Sequence, residues 1–240
     1  MKLKNEDIVA LKNVLAVCNI GAIDGILIED GVIRGVNETK TFAIISRMNV
    51  PEFGKKIGMT RLSVLKARLD VFVNKEISIN AIESSRDEIS ALEISSGKSK
   101  VQFRCTSTAF FNKKVPISLN DTTEFAFNMK PEDSKAVLDA VRVMSAKQVV
   151  MQINAAENSI SFEIVDDCNE VFRIETHAEI ITDSDNKSAV HCYSSDVFCN
   201  VLKSTKGEDL PVLIGARGTL KAVVLGHEIA LMPQVNTSSE

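Results

Sequence analysis

A chain of 240 residues, 45% apolar and 25% charged, is long enough for two domains with real cores and too apolar to stay unfolded. One tyrosine and no tryptophan exclude a ligand platform built on stacked aromatics, and a net charge of −4 argues against a chain that simply coats nucleic acid. The five cysteines (Cys18, Cys105, Cys168, Cys192, Cys199) are odd in number and lack CxxC spacing, which reads as free thiols in a reducing compartment and not as a disulfide framework.

The opening Met1-Lys2-Leu3-Lys4 is not followed by a continuous apolar segment, because Glu6, Asp7, Lys12 and Asn13 interrupt it. No signal peptide is expected, no run approaches the roughly 18 apolar residues of a membrane helix, and the expected location is a cytoplasm. Asn5 to Val17 reads as an amphipathic helix, followed by an apolar strand from Gly21 to Ile28, a turn at Glu29-Asp30-Gly31 and a strand from Thr39 to Met48. A second helix is expected over Thr60 to Arg68, with Leu62, Leu65, Leu69 and Phe72 on one face and Arg61 and Arg68, seven apart, on another. Lys100 to Cys105 reads as an exposed edge strand bearing Phe103. The connector Thr106 to Glu124 is unusually apolar, with Phe110, Phe111, Val115, Pro116, Ile117 and Leu119.

At Pro131-Glu132-Asp133 the same pattern restarts. A helix to Met144, with core stripe Val137, Val141 and Met144, precedes a strand from Gln148 to Ile153, a turn at Glu157-Asn158 and a strand from Ser159 to Val165. Val171 to Thr176, with Phe172, is a second edge candidate, and a second short helix repeats Val-Leu-Lys at 201–203 as at 64–66. A strand-like run from Ala230 to Val235 comes last. Repetition at this period predicts an α+β fold of two tandem helix-strand-strand-helix-strand units, here bounded as 1–106 and 125–240 around a connector, 107–124.

The charge is unevenly placed. The four helical segments hold twelve cationic and seven acidic residues, so the acidic excess lies in strands and loops. Glu6, Asp7, Glu132, Asp133 and Asp196 fall in first helical turns, where the macrodipole favours them. Lys135, Asp139 and Arg142 share the exposed face expected of the third helix. Catalytic patterns are scarce. Asp166, Asp167, Asp183 and Asp185 could supply oxygen ligands to a divalent metal in a nucleic-acid enzyme, but Asp in polar stretches is the ordinary composition of turns. His191, Cys192 and Cys199 lack the second pair a zinc site needs, and Gly215-Ala216-Arg217-Gly218 lacks phosphate-loop spacing. Neither a cofactor nor a metal is expected, and the absence of a nucleophile elbow, HExxH or dinucleotide fingerprint favours a binding protein over an enzyme.

The opening helix Leu11-Lys12-Asn13-Val14-Leu15, the second helix with its Val64-Leu65-Lys66, the connector Ser107-Thr108-Ala109-Phe110-Phe111 and the ending Ala230-Leu231-Met232-Pro233-Gln234-Val235 together resemble the sliding clamps of DNA replication. The layout is most similar to the two-domain clamps of T4-like bacteriophages and to proliferating cell nuclear antigen. The resemblance implies a non-enzymatic processivity factor: a head-to-tail homotrimeric ring, helices lining the hole and antiparallel sheets outside. Its implied partners are double-stranded DNA, a DNA polymerase, a clamp loader and further copies of the chain, with no membrane. Lys12, Lys66 and Lys203 fall where the family places DNA-facing cations, and the face reading adds Arg61, Arg68, Lys135 and Arg142. Ala136 and Asp139 stand where arginines are expected. A groove for partner peptides is implied near Phe42, Phe110, Phe111, Leu231, Met232 and Pro233. The alternatives are the metal-dependent enzyme and a ring-like scaffold that never holds DNA.

Overall fold

The computed structural model describes residues 2–72, 76–84, 87–111, 121–183 and 187–234. The chain divides into two compact units, Met1–Glu38 with Ala43–Leu119 and Leu225–Glu228, and Thr39–Phe42 with Asn120–Val224 and Ile229–Glu240.

The first unit begins with α1 (Asn5–Ile20) and the strands β1 (Gly25–Glu29), β2 (Val32–Val36), β3 (Phe42–Ser46) and β4 (Ile57–Thr60). Then come α2 (Leu62–Asp70), β5 (Ser78–Glu83), β6 (Ile89–Ser96), β7 (Ser99–Arg104) and a 3-10 turn at Thr108–Phe111. Antiparallel pairing runs β3-β2-β1-β4 in one sheet and β5-β6-β7 in another. Beyond the expected elements lies β2, joined to β1 by a two-residue turn in which Asp30 (φ 52°) and Gly31 (φ 68°) are both left-handed, the conformation that matches the twist of a hairpin. The strand expected over Gly21 to Ile28 is correspondingly shorter, because α1 runs on to Ile20 and Ala22 turns the chain at φ 52°. Likewise β3 occupies only the centre of the expected Thr39 to Met48.

The second unit repeats the order: β8 (Thr123–Met129), α3 (Pro131–Met144), β9 (Gln148–Asn154), β10 (Ser159–Val165) and β11 (Val171–His177). It continues with β12 (Ile181–Thr182), β13 (Ser188–Ser194), α4 (Ser195–Ser204), β14 (Leu210–Gly215), β15 (Leu220–Val224) and β16 (His227–Leu231). Its strands order as β12-β8-β14-β15-β16 and β11-β10-β9-β13. Alternation does its expected work in β9 and β10, where Val149, Met151, Ile153, Ile160, Phe162 and Ile164 all face inward. Under α4 the rings of Tyr193 and Phe198 stack at 5.9 Å, and Phe162 lies 6.2 Å from Phe198. Each unit is thus an α+β body with two helices in mutual contact and two antiparallel sheets.

The structure changes the reading of Phe103. It sits on β7 at the free edge of β5-β6-β7, yet its side chain is fully buried. On β11, the free edge of the second unit's sheet, Val171 and Phe172 are 59% and 47% exposed.

Candidate nucleic-acid interface

The cations assigned from the sequence sit on the helix pairs, and each pair has its own geometry. In α1 the buried face is Ile8, Leu11, Val14, Leu15 and Cys18, which leaves Val9, Lys12 and Asn19 in solvent. Lys12 makes no ion pair among the described residues. The helix start is fixed by Asp7, whose buried carboxylate accepts the Lys4 N–H at 3.2 Å and the Glu52 N–H at 2.8 Å.

Along α2, Leu62, Leu65 and Leu69 are buried, as their spacing requires. Arg61 stands just before the helix in the left-handed conformation (φ 58°), its N–H donated to the Asp24 carboxylate at 3.3 Å. Its guanidinium carbon lies 5.8 Å from the centre of the Phe103 ring, and that of Arg68 lies 5.7 Å from the same centre. Arg68 Nη1 also donates to the Gln102 carbonyl at 2.6 Å. Phe103 is therefore roofed by two cations. Lys66 pairs with Asp70 at 2.6 Å across one turn, an exposed contact weak enough for a phosphate to displace.

The helices of the second unit differ. The core face of α3 is Ser134, Val137 and Ala140, while Val141 and Met144, expected in the stripe, are only half-buried at its margin. Lys135 and Arg142 are exposed as expected, but Arg142 is tied to Asp139 at 3.0 Å. On α4 the exposed positions are Asp196, Asn200 and Lys203.

The residues expected in a partner groove fall into both units. In the first, Phe110 is exposed and meets the buried Phe111 edge-to-face at 5.3 Å. In the second, Phe42 and Leu231 are fully buried and serve the core, while Met232 and Pro233 are half-exposed. Met232 donates its N–H to the Thr41 carbonyl at 2.9 Å. Val115, Pro116, Ile117 and Leu119 lie outside the described residues.

Sequence reasoning missed the two carboxylates that fix the chain on either side of 112–120. In the first unit, Glu88 accepts both the N–H and the hydroxyl of Thr108, each at 2.9 Å. In the second, Asp121 accepts the N–H of Arg217 at 3.0 Å and of Thr219 at 3.1 Å, and its carbonyl accepts from Lys221 at 2.6 Å. No local signal marks them, because each partner is 20 or more residues away. The Thr108 backbone N–H, with the hydroxyls of Thr108 and Ser107, holds the Glu88 carboxyl below its ordinary value against the opposing effect of burial. For Asp121 burial pushes upward, but the backbone donors of Arg217 and Thr219 outweigh it and the net displacement is downward.

A carboxyl lowered in the folded state stabilises the fold fully above its unfolded value, and that stability disappears as pH falls through the folded value. Glu88→Gln should therefore lose about 1–3 kcal/mol near neutral pH and flatten the fall in stability on the acid side, as read by urea denaturation at a series of pH values. An unchanged acid limb would mean that Glu88 does not hold this segment.

The carboxylates considered as metal ligands have other work. Asp166 accepts the N–H groups of Cys168 and Glu170, both at 2.8 Å, closing the turn between β10 and β11. Asp167 pairs with Lys147 at 3.1 Å, Asp183 is exposed, and Asp185 lies outside the described residues. Among the described residues no three His, Cys, Asp or Glu side chains group as a metal site.

No family model and no curated protein matches the sequence. Solved structures do match in fold. The PCNA2-PCNA3 complex from Sulfolobus tokodaii is similar over 98% of this chain and 98% of its own, with a TM-score of 0.63 and 16% identity. A. fulgidus PCNA bound to the C-terminal region of FEN-1 gives a TM-score of 0.68 at 16% identity, with 99% of both chains covered. The Helicobacter pylori beta clamp bound to a DNA ligase peptide gives 0.69 at 10% identity, covering 100% of this chain and 68% of that one. With its repeated units, paired helices and antiparallel sheets, the chain has the fold of the DNA sliding clamps.

Proposed function

We propose that this protein is a non-enzymatic DNA sliding clamp, a ring of three chains that encircles duplex DNA and tethers a polymerase after a clamp loader has closed it. The observation that carries the reading is whole-length likeness to clamp structures, together with cations on the helix pairs and an acidic excess elsewhere. Encirclement retains the protein by topology, so its phosphate contacts need only be few and independent of sequence. An acidic exterior disfavours DNA on the wrong surface.

Closure requires a heterologous interface, and β7 and β11 are its candidate strands. Each is a free edge, and β11 exposes Val171 and Phe172, an aggregation liability unless another chain covers them. Lys12, Arg61, Lys66, Arg68, Lys135, Arg142 and Lys203 are the proposed phosphate-facing set. The proposed partner anchors with surface to offer are Phe110 in the first unit, packed on the buried Phe111, and, in the second unit, Met232 and Pro233, where Phe42 and Leu231 belong to the core. That A. fulgidus PCNA and the Helicobacter pylori beta clamp were solved with FEN-1 and ligase peptides supports peptide capture here as well.

The test is retention. Loaded onto a nicked circle with a loader, the protein should stay bound through high-salt gel filtration and be released when the circle is cut. Equal loss from circles and linear fragments would remove the topological link and leave a scaffold that does not hold DNA.

A further inference from the structure

In each unit the second helix is followed by three strands of one sheet, and the outward faces of the two sheets differ. In the first unit the outward rows across β5-β6-β7 are Ser78, Ser95 and Lys100, then Asn80, Glu93 and Gln102, a polar surface of the kind expected against water. In the second, the row across β12, β8, β14 and β15 is Ile181, Ala126, Leu213 and Lys221, with Asn128 and Pro211 beside it. Ile181 is 66% exposed and Leu213 41%. Apolar side chains gathered on the solvent side of a sheet mark a surface that another molecule covers.

The cleft over this row has a volume of about 340 Å³, within the range of ligand pockets and enough for one or two side chains. Its other wall is the segment 177–181, which is fixed at two points. Asn158, left-handed at φ 48°, accepts the Ala178 N–H on its carbonyl at 3.1 Å and the Ile180 N–H on its side-chain oxygen at 3.2 Å. Ile181 then pairs with Ala126 on β8. The cleft is therefore preformed, and little ordering of the chain opposes binding.

The charges around the cleft narrow what can occupy it. Lys130 is engaged by Asp209 at 2.6 Å and Lys187 by Glu124 at 3.5 Å, and the Lys221 ammonium donates to the Asp121 carbonyl at 2.6 Å. Glu157 beside Asn158, Glu179 in the wall and Asp183 after β12 are exposed and make no ion pair among the described residues. Uncompensated carboxylates repel phosphate, which excludes nucleic acid and anionic lipid, and two copies of this face would set like charges against each other. We propose that the cleft docks a short extended peptide of a partner protein, one that carries one or two apolar side chains flanked by lysine or arginine. Phe110, Met232 and Pro233 do not line it, so one chain can hold two partner segments at once. The inference goes beyond the clamp reading and does not need a closed ring.

The experiment is a titration of the full-length protein, followed by its methyl NMR signals, with the capped peptide Lys-Lys-Leu-Phe-Lys-Lys. The Ile181 and Leu213 methyls should move, and that of Val143, exposed on α3, should not. A peptide with Ser-Ser in place of Leu-Phe should leave all of them still, and one with Glu in place of Lys should bind about tenfold more weakly. Ile181→Ser/Leu213→Ser should weaken the lysine peptide about tenfold or more, because an apolar contact at the centre of a small site carries most of its affinity. Both side chains reach solvent, so the circular-dichroism spectrum of that variant should be unchanged. Glu179→Lys should weaken binding about threefold and reduce its dependence on salt. Shifts confined to the Met232 methyl, or no shift at all, overturn the cleft as a docking site. A change of mass in light scattering for Ile181→Ser/Leu213→Ser also overturns it, by making the face a contact between copies of the chain. Retention on a nicked circle is measured without this peptide, so failure of the cleft and failure of the clamp reading are told apart.

Discussion

Phe172→Lys should reduce the assembly to single chains. Phe172 lies on β11 opposite Ile164 of β10, half-exposed beside the more exposed Val171, at an edge with no further strand among the described residues. A large aromatic covered by a pairing strand of another chain is the kind of anchor whose loss costs about 2–4 kcal/mol, and a lysine there adds a charge that must lose its water. That is a loss of roughly 30- to 1,000-fold in each contact, and every contact of a closed ring carries the same change. Light scattering at high protein concentration should give a mass near three times the 26.2 kDa chain for the unmodified protein and one chain for the variant. Dilution should dissociate even the unmodified ring by mass action, so concentration must be matched. Because Phe172 reaches solvent in the single chain, the variant should keep its circular-dichroism spectrum and monomer melting behaviour. A variant of unchanged mass, or an unmodified protein that is monomeric at every concentration, removes β11 from the assembly.

Phe103→Lys, which the edge position of β7 suggests as a companion, tests something else. The ring is fully buried under Arg61 and Arg68, so a lysine there places a third cation beneath two others and should unfold the first unit before it informs on assembly.

Gly58→Ala should cost about 3 kcal/mol, near the upper end for overpacking. A methyl on this β4 residue would lie 2.6 Å from the Thr106 carbonyl oxygen and 2.7 Å from the Phe111 ring. Neither neighbour can yield cheaply. Thr106 donates its N–H to the Gly58 carbonyl at 2.8 Å, and Phe111 is buried in the 3-10 turn that leads away from this strand. The substitution should therefore displace Thr108–Phe111 and with it Phe110, so that capture of a partner peptide weakens together with stability. Urea denaturation at constant m measures the first effect, and peptide titration the second. Gly31→Ala is the control: a Cβ there meets nothing within 4 Å, and the only cost is the left-handed backbone at φ 68°, about 1 kcal/mol. If Gly58→Ala costs no more than Gly31→Ala, the close approach at β4 does not constrain this segment.

The sequence by itself determined the repeated elements, because their signals are local. Pro131 at the first helical position, acidic residues behind it and apolar spacing bounded α3, and strict alternation bounded β9 and β10 almost to the residue. The helical spacing of Leu62, Leu65 and Leu69 likewise fixed the buried side of α2. Only the tertiary structure decided the rest. The strand β2 was illegible because it is five residues long and interrupted by Gly35, which is needed where a Cβ would come within 2.8 Å of Ile26 on the neighbouring strand. Phe103 reads as an exposed edge residue until α2 brings Arg61 and Arg68 over it from about 40 positions earlier. The same holds for His227, an unremarkable strand histidine in sequence, whose ring is fully buried at the start of β16 and whose pKa burial pushes down. Glu88 and Asp121 carry no motif at all, and they become anchors because folding delivers backbone N–H groups 20 and 96 residues distant to their carboxylates. Periodicity records which side of an element faces the core. It does not record which distant group meets each polar atom, and that pairing settles which charges remain free to meet an anion.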